Sequence, residues 1–166
     1  HYHDMAFQGR DEAIDFEKAT TSLFQYIFGY KAIHLGQTGA KSAPDVLLIS
    51  DEDGYQAIID NKAYSKYSIS GDHRNRMVHN YLENISSYST CTHPIGYFTY
   101  ISGGFVPHIN RQIMDEVNAS GIHGSGITVS NLITLIEDHM EHPYSHAELR
   151  RIFGLDRQIM LSDIHH

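Results

Sequence analysis

The sequence predicts an α/β fold in which a mixed β-sheet is flanked by helices. Three observations lead there. Stretches of strand-like and helix-like spacing alternate along the 166 residues, the pattern of a layered α/β structure. Val46-Leu47-Leu48-Ile49-Ser50 and Tyr55-Gln56-Ala57-Ile58-Ile59 flank the turn-forming Asp51-Glu52-Asp53-Gly54 and read as a hairpin. Ile95-Gly96-Tyr97-Phe98-Thr99-Tyr100-Ile101 is aromatic and β-branched, as expected of a central strand covered on both faces. With 41% hydrophobic and 19% charged residues, residues 1–166 suffice for one well-buried core and fall short of two, so one domain is expected.

In chain order, Phe16, Ala19, Leu23 and Ile27 recur at helical spacing within 11–28, and Gly29 is placed to end that helix. Residues 30–36 suggest a short strand entering a glycine-bearing loop. After the hairpin, Met77, Val78, Tyr81, Leu82 and Ile85 form the apolar side of a helix over 72–85. The stretch 86–92 reads as a mobile loop. A helix is expected over 109–118, a strand over 126–129, and a helix carrying Leu132, Ile133, Leu135 and Ile136 with Ser130 as its N-cap. Ser145-His146-Ala147-Glu148 has the capping-box spelling that opens a last helix.

The chemistry-bearing residues lie around the hairpin. With Asp51 to Gly54 as a two-residue hairpin turn, the register places Asp45 across from Asp60, and the alternation of side chains puts Lys62 on the same side as Asp60. A divalent cation binds hard carboxylate oxygens, polarises a phosphoryl group and acidifies water, and two carboxylates suffice to hold it. Lys62 can orient or deprotonate the attacking water, or offset charge on the phosphorane. Standing alone, an Asp-x-Lys tripeptide more often marks a solvated strand end. The register gives this one weight. Glu17, on the first helix beside Phe16, is placed to approach the same site.

Residues 28–36 (Phe-Gly-Tyr-Lys-Ala-Ile-His-Leu-Gly), Pro44-Asp45 and the string Asp60-Asn61-Lys62-Ala63-Tyr64-Ser65 together resemble the FokI-type cleavage domain of type IIS restriction endonucleases, within the PD-(D/E)XK nuclease superfamily. Phe16-Glu17, Tyr81-Leu82, Ile101-Ser102-Gly103 and Glu148-Leu149-Arg150-Arg151 follow in the family's order. The resemblance implies a restriction-endonuclease-like core and Mg²⁺-dependent (or Mn²⁺-dependent) hydrolysis of double-stranded DNA. It implies that Asp45 and Asp60 bind the metal, that the backbone carbonyl of Asn61 adds a ligand, that Lys62 is catalytic and that Glu17 is the first-helix acid. It further implies a separate recognition domain or subunit that chooses the sequence. Lys41 matches a phosphate-contacting position less closely, because Lys41-Ser42-Ala43-Pro44-Asp45 departs from the family spelling. The family's dimer helix carries an acid and an arginine one turn apart, where this chain has Arg76 and Asn80. A homodimer or heterodimer through 72–85 and a strand-nicking monomer all stay open.

A formal charge of −8 disfavours autonomous binding to duplex DNA, which suits a cleavage module delivered by a partner. Lys62, Lys66, Arg74 and Arg76 cluster after the hairpin, and Lys66 and Arg74 are candidate phosphate contacts or a solvated helix face. A catalytically silent nuclease-like subunit and a structure-selective nuclease are the alternatives. The latter calls for a basic surface that this charge balance does not suggest. A lone cysteine, Cys91, excludes an internal disulfide, and no apolar run is long enough for a membrane span. The opening His1-Tyr2-His3-Asp4-Met5 spells neither a signal nor a transit peptide, so the cytoplasm is the expected location. Thirteen histidines are present. His139, His142 and His146 are read as surface residues rather than a zinc site, and His34 as a packing or loop-anchoring residue.

Overall fold

The computed structural model describes residues 1–6, 13–36 and 43–164. Among these, six strands form one sheet in sequence order: β1 (Lys31–His34), β2 (Val46–Ser50), β3 (Tyr55–Lys62), β4 (Ile95–Ser102), β5 (Gly124–Thr128) and β6 (Arg157–Gln158). The β1–β2 and β2–β3 pairs are antiparallel, whereas β3 to β6 are mutually parallel. The sheet is therefore mixed, and parallel strands need helical crossovers that cover its faces. The helices are α1 (Tyr2–Met5) and α2 (Ala13–Tyr26), which precede the sheet, and α3 (Gly71–Asn75), α4 (Ile109–Ser120), α5 (Val129–Glu141) and α6 (His146–Phe153), which lie in the crossovers between parallel strands.

Alternation along the strands divides the core in two. Val46, Ile59 and Tyr97 join Phe16, Leu132 and Phe153, so α1, α2, α5 and α6 cover one face. Ile58, Phe98 and Tyr100 pack with Met77, Tyr81 and Ile113 on the other. The aromatic strand β4 is buried on both faces, as its composition predicts.

The expected hairpin register holds: Val46 pairs with Ile59 and Ser50 with Tyr55. Its turn is longer than the two-residue loop expected from sequence. Residues 51–54 all lie outside the ladder, Gly54 N–H donates to the Ser50 carbonyl at 2.9 Å, and Gly54 takes φ 68°. Glycine reaches that left-handed conformation without a Cβ penalty. Gly29, at φ 80°, follows the end of α2 in the same way.

Several expectations are corrected. The helix expected over 72–85 is α only through Asn75 and continues as a π-helical segment, Arg76–Leu82. Its wider turn is closed by Glu83 N–H on the Val78 carbonyl at 3.2 Å. This lets Met77, Val78, Tyr81 and Leu82 all reach the core. The stretch 86–92 is pinned rather than free: buried Gln56 on β3 donates to the carbonyls of Cys91 and His93 and accepts from Ser89. Thr128, not Ser130, caps α5 and accepts from Asn131 N–H. The capping box at Ser145 forms as read.

His139 and His146 are buried struts rather than surface residues. Nε2 of each lies within hydrogen-bond distance of a carbonyl just beyond α2, Ile27 at 3.0 Å and Phe28 at 2.7 Å. Their Nδ1 atoms accept from Tyr144 N–H and bond the Ser50 hydroxyl. Both rings are thereby committed to the fold, as buried polar groups must be.

Gly124 faces the buried Phe98 ring so closely that a Cβ there would meet Phe98 Cζ at 2.1 Å. Gly124→Ala is expected to destabilise the protein by about 1–3 kcal/mol, checked by denaturant unfolding against the wild type.

Candidate active site

The β2–β3 ladder ends with Val46 opposite Ile59, and the next residue on each strand is Asp45 and Asp60. Asp45 Oδ2 accepts the backbone N–H of Asn61 at 2.7 Å, which ties the carboxylate to the far strand. Asp60 is buried, and its Oδ2 lies 3.0 Å from Lys62 Nζ. The three groups that sequence reasoning placed together are together.

The two carboxyls crowd one another. Asp45 is raised well above its ordinary 3.8, first by burial, then by the charge and hydrogen bonding of Asp60, with Glu17 adding repulsion. Lys62 responds oppositely. Burial pulls its ammonium down, but the Asp60 carboxylate outweighs that and holds it above its usual value. Lys62 is thus a charged donor in this arrangement.

Glu17 reaches the site from α2. Its carboxyl is raised by burial and by the charge of Asp60, while His34 opposes the rise. Glu17 Oε1 lies 2.8 Å from His34 Nε2, so the anchoring role read for His34 is specific: it holds the acid. A Cβ on Gly36 would sit 1.9 Å from that same oxygen, so the glycine after β1 keeps the space open for the carboxylate. Asn61 turns its side chain to the opposite face, where its Nδ2 donates to Thr20.

The basic residues divide. Lys66 is exposed on the wall of a cleft of about 270 Å³ shared with Tyr64, Tyr67, Ser68 and His73. Arg74 is ion-paired with Asp115 on α4. Lys41 lies outside the described residues. Arg76, on the π-helical segment, adds positive charge that acts on Lys62, Tyr67 and His73. Sequence reasoning missed Tyr67 and His73, whose placement depends on a bridge from Tyr67 to Phe105. It also missed Glu116, fully buried on α4, which accepts from the Tyr100 hydroxyl and is pushed up to about 8 by burial, with Asp60 adding to the rise.

Two acids opposed across a strand pair, with a lysine two residues beyond the second, make an oxygen donor pair that could hold a divalent cation. A family model for the cleavage domain of FokI matches residues 1–160. The chain belongs to the FokI cleavage-domain family. The fold of this family member is similar to two solved structures. One is the restriction endonuclease FokI, at 20% identity and TM-score 0.79, covering 95% of this chain and 30% of that one. The other is FokI bound to DNA, at 22% identity and TM-score 0.80, covering 95% and 29%. The chain thus spans about a third or less of the enzymes it matches. No curated protein sequence matches it. Among the described residues, no helix is long and apolar enough to cross a membrane.

The crowding of Asp45 has a measurable cost. Its folded-state pKa exceeds its unfolded one, so the native state binds the proton more tightly. The stability this provides is present at acid pH and lost as pH rises through the folded value. Asp45→Asn, which keeps an oxygen for Asn61 N–H, is therefore expected to raise the melting temperature at pH 7.5 by a few degrees, on the order of 1 kcal/mol. The gain should vanish near pH 3.5. Thermal melts at the two pH values check both sign and window.

Proposed function

We propose that this chain is a single cleavage domain, residues 1–166, that hydrolyses phosphodiester bonds of double-stranded DNA in the cytoplasm with Mg²⁺ or Mn²⁺. A separate recognition domain or subunit brings it to its target. The observation that carries the reading is the opposed Asp45 and Asp60 pair with Lys62 fixed on Asp60 at 3.0 Å. Asp45, raised by burial and then by the charge of Asp60 beside it, fits a divalent cation, because a cation relieves that repulsion in the way a proton on Asp45 does. Among the described residues, no three His, Cys, Asp or Glu side chains form a ready metal cage. Asp45 and Asp60 would hold the cation, with the Asn61 backbone carbonyl as a further ligand. When bound, the metal supplies a Lewis acid for the phosphoryl oxygens.

The chain's own residues do the rest. Lys62, charged and half-buried, presents its ammonium protons toward water or a phosphoryl oxygen beside Asp60. Glu17, held by His34, keeps a third acid near the pair without spending it on solvent. Lys66 on the neighbouring cleft is available to a backbone phosphate, whereas Arg74 must first leave Asp115. With a net charge of −8, affinity for duplex DNA is supplied by the partner that delivers the domain. A second copy, or a different subunit, pairing through 72–85 would allow both strands to be cut.

Incubating supercoiled plasmid with high concentrations of the protein in Mg²⁺ or Mn²⁺ tests the reading. Wild-type protein is expected to nick or linearise it. Asp60→Ala/Lys62→Ala is expected to lower the rate by at least about a thousandfold with its fold intact. Cleavage by the double variant at the wild-type rate would sink the assignment. The ratio of nicked to linear product separates single-strand from paired cutting.

A further inference from the structure

Lys62 has a second neighbour besides Asp60. Its Nζ lies 5.7 Å from the centre of the Tyr67 ring, within the roughly 6 Å over which an aromatic face attracts a cation. Tyr67 is itself tightly placed. Its main chain bridges to the segment after β4, donating to the Gly104 carbonyl at 2.9 Å and accepting from Val106 N–H at 3.0 Å. Tyr67 is 2% exposed, and its ring tilts against Tyr100 at 5.5 Å. Its hydroxyl lies 2.7 Å from His73 Nδ1, and the two rings stack at 5.7 Å. Burial first, and then the charge of Asp60, raises the Tyr67 hydroxyl, so it stays a neutral donor. His73 is lowered, by burial and then by Lys62, and so stays a neutral acceptor.

We propose that Tyr67 is a positioning residue for Lys62, its ring holding the ammonium in place when the Asp60 oxygens are shared with a cation. The inference rests on the nuclease reading above. Lysine is a compact charge on a flexible four-carbon stem, and its ion pair to Asp60 weakens once that carboxylate serves a divalent ion. The ring face offers the ammonium an attraction in which a hard cation's oxygen ligands do not compete. Tyr67 is anchored to the segment after β4 rather than to the hairpin, so its position does not follow movements of the two acids.

The test uses the full chain as wild type, Tyr67→Phe and Tyr67→Leu. In metal-free protein, the ring current of Tyr67 should move the Lys62 ε-methylene NMR signals upfield of the other lysines, assigned by their loss in Lys62→Arg. Tyr67→Phe keeps the ring and should keep the displacement, whereas Tyr67→Leu should abolish it. In cleavage, Tyr67→Phe should stay within about threefold of wild-type kcat, and Tyr67→Leu should lose about tenfold or more in kcat with KM little changed. Unshifted Lys62 signals in the wild type, or full kcat in Tyr67→Leu, would overturn the proposal. Should Tyr67→Leu not fold, the wild-type and Tyr67→Phe spectra decide. A wild type that cleaves nothing defeats the nuclease reading instead, and the spectrum still decides whether the ring holds the lysine.

Discussion

Pairing of Val46 with Ile59 leaves the next residue on each strand, Asp45 and Asp60, facing across the hairpin where neither can move away. The ladder behind them is buried almost throughout. A one-residue slip would turn every apolar side chain of the strand to the wrong core. The two acids are therefore brought together by hydrophobic burial of the strands, against the repulsion of their charges. Everything else at the site answers that forced proximity. Lys62 supplies the opposite charge, the Asn61 N–H ties down one carboxylate, and His34 holds Glu17.

The same logic explains why both faces of the sheet matter. Asp60 and Lys62 alternate with Ile59 and Asn61, so one face of β3 carries charge while the other joins the core beneath α2. Opposite, the π-helical segment and α4 close the apolar half of the charged face around Ile58 and Tyr100. Charge at a strand end survives here because the low-dielectric wall begins one residue earlier, which strengthens each pairing.

What the sequence made legible was what short spacing controls. The hairpin register, the side shared by Asp60 and Lys62, the doubly covered β4 and the Ser145 cap each depend on residues a few positions apart. Other features were decided at a distance. The length of the hairpin turn escaped because register alone does not fix how many residues leave the ladder. The π-helical stretch at 76–82 answers to four side chains competing for one core, which a 3.6-residue pattern cannot show. His139 and His146 looked solvated because their partners are main-chain carbonyls 112 and 118 positions away. The placement of Tyr67 beside Lys62 was invisible for the same reason, since a bridge to Phe105 sets it.

That difference in range bears on how the molecule assembles. Asp45 and the Asn61 amide are 16 positions apart and meet within one hairpin, a contact that closes a short loop at low entropic cost. The anchor beside Lys62 runs from Ser102 to the Tyr64 carbonyl, 38 positions apart, and depends on parallel strands that join only through a crossover. Non-local parallel pairing is slow to form. The acid pair thus needs only one hairpin, whereas the surroundings of the lysine need the finished sheet.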